Sequence, residues 1–212
     1  FATMDELLAA LERGPAQQRR RLALVGLAVA GLVPVAMVGL RAQRIAACEA
    51  AGTEISEVWN DETKESLRTA IVATGVNYAE TSYQKAVARI DVWAAHWSTL
   101  RTQMCREATV EGTRSPEHHA ISTECLEEQR DVLAEILAVF GDSVVTDVER
   151  LVPAAAGLAR LEACVDTHAL DRRPKLPSAP GVRGQVKALR RDLMGIHGLL
   201  IAGRYKEGLA RA

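Results

Sequence analysis

Aromatic residues are scarce in this 212-residue chain, at 4% of the total. Runs of β-branched residues are short and no stretch alternates apolar with polar side chains, so a sheet-built core is excluded. Charge of one sign is missing too. Lys and Arg number 26 against 27 Asp and Glu, a formal net charge of -1. That balance provides no global basic field, and no nucleic-acid partner is expected. What remains plentiful is Ala, Leu, Glu and Arg, a composition that favours an all-α fold. The first residue is Phe1 rather than Met, so the chain reads as a piece of a longer polypeptide.

One long apolar run stands out. Leu22 to Leu40 spans 19 residues without a charged or amide side chain. As a helix it would measure roughly 28 Å, close to the hydrocarbon core of a bilayer. Pro34 would damage a soluble helix interior but is tolerated in a membrane span. A buried soluble helix seldom needs so long a run. A secretory signal has a shorter apolar region and normally sits at the true N-terminus, whereas here the amphipathic DELLAALER comes first. Leu22–Leu40 is therefore expected to be a single-pass transmembrane helix with lipid as its partner. Arg13, Arg19, Arg20 and Arg21 precede it and Arg41 and Arg44 follow. The excess favours an N-terminus in the cytoplasm and a periplasmic or extracellular remainder.

All four cysteines, Cys48, Cys105, Cys125 and Cys164, follow the run. An even number confined to one side of a membrane suits an oxidising compartment. Three pairings are possible. A turn centred on Ser115 would set Cys105 beside Cys125 in an antiparallel hairpin, leaving Cys48 to pair with Cys164.

Helical segments follow one another along the chain. Phe1 to about Arg13 forms one, ended by Gly14-Pro15. Nothing in RAQRIAACEAAGTEISEVW breaks the membrane helix firmly, so it is expected to continue there. Thr63 to Thr74 makes another, stopped by Gly75, and Asn77 with Glu80 resembles a capping box for the next. Ala86, Ile90, Trp93, Trp97, Leu100 and Met104 then trace one apolar stripe. Gly112, Ser115 and Pro116 supply a stop, a cap and a first helical position. Leu126, Leu133, Ile136 and Phe140 mark a second buried face, broken by Gly141-Asp142. Val144, Val148, Leu151, Ala155 and Leu158 mark a third, where Pro153 is expected to kink or split the helix. Residues 168–184, with three prolines and two glycines, read as a linker before a helix over Gln185–Ala202. Gly203-Arg204-Tyr205 is a turn and KEGLARA starts a further helix. The domains are then 1–14, 15–44 (juxtamembrane and span), 45–166 (four-cysteine bundle), 167–184 (linker) and 185–212.

Cys105, His118, His119 and Cys125 lie near one another, but adjacent histidines point about 100° apart on a helix and no CxxC pair is present. His118 and His119 are read as solvated helix-start residues, and no metal is expected. Trp93 and Trp97 could line a pocket but sit at core spacing. Glu111, His118, His119 and Asp131 offer no nucleophile–base pair on a shared face, so no catalytic residue is assigned.

Three resemblances align with this order. FATMDELLAAL, through Phe1, Met4, Leu7, Leu8 and Leu11, resembles the last helix of a bacterial serine/threonine protein kinase domain. LLIAGRYKEGLARA is similar to the centre of a tetratricopeptide repeat, through Leu199, Leu200, Gly203, Tyr205, Glu207 and Leu209, with Gly208 where Ala is usual. The region between, with Trp59, Gly75-Val76-Asn77-Tyr78, Trp97 and Cys125-Leu126, looks like the spacer of kinases that carry repeats after the membrane. The resemblance implies a parent that phosphorylates Ser or Thr with ATP and magnesium, and repeats that bind protein or peptide. This chain has no GxGxxG over a strand, VAIK lysine, HRD loop or DFG, so neither cofactor is assigned to it. It is expected to anchor a kinase and couple it to an exported bundle. Gly26 and Ala30 offer a small-xxx-small contact for a homodimer. The alternative is a membrane-tethered repeat scaffold with no kinase.

Overall fold

The structure is a computed structural model that describes Met4 and residues 37–141, 145–174, 176–201 and 203–212. It divides into two compact units, Phe1–Ala46 and Ala47–Ala212. In the first, residues 37–46 are helical, and Met37, Val38 and Leu40 are exposed. Apart from Met4, which is helical, the expected helix over Phe1–Arg13 lies outside the described residues. The expected span Leu22–Leu40 does too, save its last four residues. Among the described residues no helix is long and apolar enough to cross a membrane.

The second unit is all-α. Residues 47–53 form α1 and a 3₁₀ turn at Glu54–Glu57 follows. Then come α2 (Asp61–Ala73), α3 (Ala79–Arg106, continued by a π turn at Glu107–Glu111), α4 (Pro116–Gly141) and α5 (Val145–Ala156). A 3₁₀ turn at Leu161–Cys164 leads to α6 (Thr167–Asp171), α7 (Pro180–Ile201) and α8 (Tyr205–Arg211). Helices α2–α8 pack as a bundle, and no strand occurs among the described residues.

The α3–α4 hairpin is the spine. On α3 the expected stripe is the buried face: Ala86, Ile90, Trp97, Leu100 and Met104 are buried and Trp93 packs at the edge. Trp97 is fully enclosed, and its indole N–H donates to the Leu126 carbonyl at 2.7 Å. On α4, Leu126, Leu133, Ile136 and Phe140 are buried as their spacing implies. Each such side chain contributes about 1.5–3 kcal/mol by leaving water. Val148, Leu151 and Ala155 of α5 close over α3. Gly52 lets α1 approach closely, since a Cβ there would fall 3.0 Å from the Ser98 carbonyl oxygen and collide with the Thr102 hydroxyl.

Turn chemistry follows the sequence in part. Gly112 adopts φ 68, a left-handed conformation natural to glycine, and Ser115 Oγ accepts from the His118 amide at 3.2 Å. Asn60, given no role in the sequence reading, caps α2 by accepting from the Thr63 amide at 2.9 Å. The capping box expected at Asn77 and Glu80 does not form. Tyr78 holds the N-cap position without a side-chain bond, and Glu80 is drawn to Arg68 at 3.1 Å instead. Pro153 does not split its helix, because α5 runs on to Ala156 and only the last turn lies beyond it. The expected linker at 168–184 is largely structured. Asp166 caps α6 by accepting from the Ala169 amide at 2.7 Å, Leu170 is buried, and Pro180 opens α7 at the first helical position that suits its ring.

The disulfides correct the expected pairing. Cys48 joins Cys105 and Cys125 joins Cys164, with Cα–Cα distances of 5.3 and 5.4 Å. The reason is the register of the hairpin. Trp97 meets Leu126, and Arg101 Nη1 lies 2.9 Å from Thr123 Oγ1, so the two helices are centred near Gly112 rather than Ser115. The π turn carries α3 on to Glu111, and Thr113 and Arg114 bond back to the Glu107 carbonyl. In that register Cys105 and Cys125 are about six residues out of step, roughly 9 Å along the axis, beyond the reach of a disulfide. Each bridge instead ties one arm of the hairpin to a flanking segment.

Candidate functional site

The most distinctive surface lies where α7 crosses α4. Glu124, Glu128, Asp131 and Glu135 step by four, three and four residues, which places them on one face of α4. Basic side chains from α7, α8 and the segment before α7 meet this row. Glu128 takes two of them: Arg173 on one carboxylate oxygen and Arg190 on the other at 2.7 Å. Lys187 stands 3.6 Å from Glu124, Arg191 3.7 Å from Asp131, and Arg211 3.6 Å from Glu135. Arg183 donates to the Pro177 carbonyl at 3.0 Å, which folds the proline segment against the start of α7.

Beneath these pairs lies a cavity of about 390 Å³. Its acidic side is Glu117, Glu124 and Glu127 of α4 and its basic side is Arg173, Arg183 and Lys187, with Ile121 and Leu176 among the apolar lining. A smaller cavity of about 180 Å³ continues along the seam to Asp131 and Arg191. Glu124 Oε1 and Arg173 Nη1 are buried without a hydrogen-bond partner, although Lys187 approaches Glu124. Buried polar atoms in proteins are normally satisfied, and two of opposite sign beside one cavity mark a polar chamber. It can accept groups of either charge.

A second cluster gathers at the hairpin turn. Arg114 Nε contacts Glu107 Oε2 at 3.0 Å, and its other nitrogens reach the Ser122 hydroxyl at 3.3 Å and the Val165 carbonyl at 3.2 Å. Arg101 is buried, facing Glu54 at 3.6 Å and Glu127 at 4.0 Å. His119 feels the charge of both guanidinium groups. Burial first, then Arg101 and Arg114, hold its imidazole below the ordinary value.

The residues singled out from the sequence are dispersed. His118 is not simply solvated: its ring stands 2.9 Å from Asp171 of α6. His119 is half-buried about 100° round the helix from His118, Asp131 belongs to the α4–α7 seam, and Glu111 is exposed on the π turn. Cys48, Cys105, Cys125 and Cys164 are all consumed in disulfides. Among the described residues no three His, Cys, Asp or Glu side chains gather as metal ligands. Trp93 donates to the Ala159 carbonyl at 3.0 Å. Gly203 turns the chain at φ 79 and Tyr205 opens α8, with its ring against Arg150.

The α4–α7 seam is not expected from the sequence. Its signal was present as acidic spacing on one helix and a basic run, Arg183 to Arg191, on another. Nothing in either pattern names the partner, because exposed charge rows are ordinary helix surfaces until a neighbour is known. Compared with known proteins, the chain matches no family model, no curated protein and no solved structure.

Proposed function

We propose that residues 47–212 are the extracytoplasmic spacer and sensing module of a membrane-anchored bacterial serine/threonine protein kinase. The observation that carries this reading is the pair of disulfides, both within Ala47–Ala212, in a unit that begins soon after the apolar run ends at Leu40. Disulfides persist in oxidising compartments, and a chain that enters one after a 19-residue apolar run is a membrane-anchored outer domain. ATP and magnesium belong to the parent's kinase domain.

The helix pair α7–α8 is the start of the protein-binding repeats. Support comes from Leu189, Leu193, Leu200 and Leu209, which are exposed at 63%, 59%, 42% and 80%. Apolar side chains left in solvent on a helix pair are the surface on which repeats stack or partners dock. Clustering of outer modules would bring two kinase domains together for trans-phosphorylation. The test is to attach a reporter kinase domain ahead of residues 1–46 and of residues 1–212, and compare dimerisation and autophosphorylation in membranes. Higher values for the longer fusion support coupling through the outer module, and equal values for both remove it.

A further inference from the structure

Helix α7 is held to the bundle in two different ways along its length. Its second half is anchored on the core: Gly198 lies against the α4 backbone at Glu135 and Ile136, Leu199 is buried, and Met194 and Ile201 pack at the edge of the core. Its first half has no such anchor. None of the described residues from Asp171 to Leu193 is buried, although Leu170 just before them is 1% exposed. Two apolar anchors, Leu170 and Leu199, thus bracket a segment held chiefly by ion pairs. Between this segment and α4 lie the cavities of about 390 and 180 Å³. Native interiors rarely leave such gaps, so contact along the seam is loose.

We propose that residues 172–174 and 176–193 form a strap that closes on α4 through ion pairs and lifts between its two anchors to open the cavity beneath. The structure holds the closed state. Glu128 is the latch, because it grips Arg173 from the segment before α7 and Arg190 from α7 itself. Lys187 on Glu124 and Arg191 on Asp131 fasten the strap on either side of it. Lifting removes little apolar surface from contact, so the opening equilibrium is set by charge. Partly exposed ion pairs are individually weak and are screened by salt, whereas the apolar α3–α4 spine is not. Pro174 and Pro177 keep the segment before α7 from folding into helix when it is released. This goes beyond the kinase reading and stands on the seam alone.

The experiment is hydrogen exchange on the full 212-residue chain in lipid nanodiscs, comparing NaCl at about 0.05 M and about 1 M, where the Debye length falls from above 10 Å to about 3 Å. Released from α4, the first half of α7 is too short to stay helical in water, so amides of residues 183–191 should exchange about tenfold faster at high salt, while those of 90–104 in α3 change less than about twofold. Glu128→Gln at low salt should reproduce the high-salt rates in 183–191 with α3 protection intact. The proposal is overturned if residues 183–191 keep their protection in salt, or lose it only in step with α3. Should Glu128→Gln prove unfolded, the salt comparison on the unaltered chain decides alone.

Discussion

Removing a disulfide tests the observed connectivity and its energetic weight together. The Cys48–Cys105 bridge closes a loop of 57 residues and the Cys125–Cys164 bridge one of 39. Loop-closure entropy grows only with the logarithm of length, so the two bridges should contribute almost equally, about 4 kcal/mol each. A domain of this size has roughly 5–15 kcal/mol in all, so loss of one bridge leaves it folded while loss of both removes about 8 kcal/mol, half or more of the total. The perturbation is Cys125→Ala with Cys164→Ala, followed by urea unfolding of residues 47–212 monitored by helical circular dichroism. With a slope near 2 kcal/mol per molar, the midpoint should fall by about 2 M. A fall below about 0.5 M at unchanged slope would refute the entropic argument. Connectivity is read separately from the single variant Cys48→Ala. The thiol it releases should be Cys105, and finding Cys164 free would restore the hairpin pairing that the register excludes.

Three further outcomes follow from single side chains. Trp97→Phe keeps most of the buried ring but leaves the Leu126 carbonyl without the indole donor; it should cost about 1–3 kcal/mol in urea unfolding. Gly208→Ala should stabilise α8 by about 0.5–1 kcal/mol, because an added Cβ would meet Leu200 and Leu199 at ordinary contact distances of 3.5 and 3.7 Å. Amide protection in 205–211 would read the gain. His119, with its pKa lowered by burial and by Arg101 and Arg114, stabilises the fold when neutral. Its contribution is complete above the unfolded value of about 6.5 and is lost as pH falls from there through the lower folded value. His119→Gln should flatten stability across that window, and an unchanged pH profile would exclude the assignment.

How much of this was legible beforehand differs by element. Helix faces such as Ala86 to Met104 and Leu126 to Phe140 were readable because burial imposes the 3.6-residue period directly on residue type. The turn residues Gly112, Ser115 and Gly203 were readable because their backbone and capping demands are local. Cysteine pairing was not, since it depended on a register shift of a few residues set by the π turn after Arg106, and π turns leave no periodic signature. The helical start at Pro180 was hidden by prolines and glycines that read as linker but are tolerated in a first turn. The seam was hidden for another reason. Glu124, Glu128, Asp131 and Glu135 carry meaning only once Arg173, Lys187, Arg190 and Arg191 are known to lie opposite.

On the proposed topology the two disulfides lie across a membrane from the N-terminal residues. This placement is tested most directly in spheroplasts, using a chain with Arg13→Cys and a membrane-impermeant maleimide. Before lysis the reagent should label no cysteine. After an impermeant reductant it should reach Cys105, the one partly exposed cysteine of the four, while the cysteine at position 13 reacts only once the membrane is broken. Labelling of position 13 and Cys105 from the same side would overturn this topology.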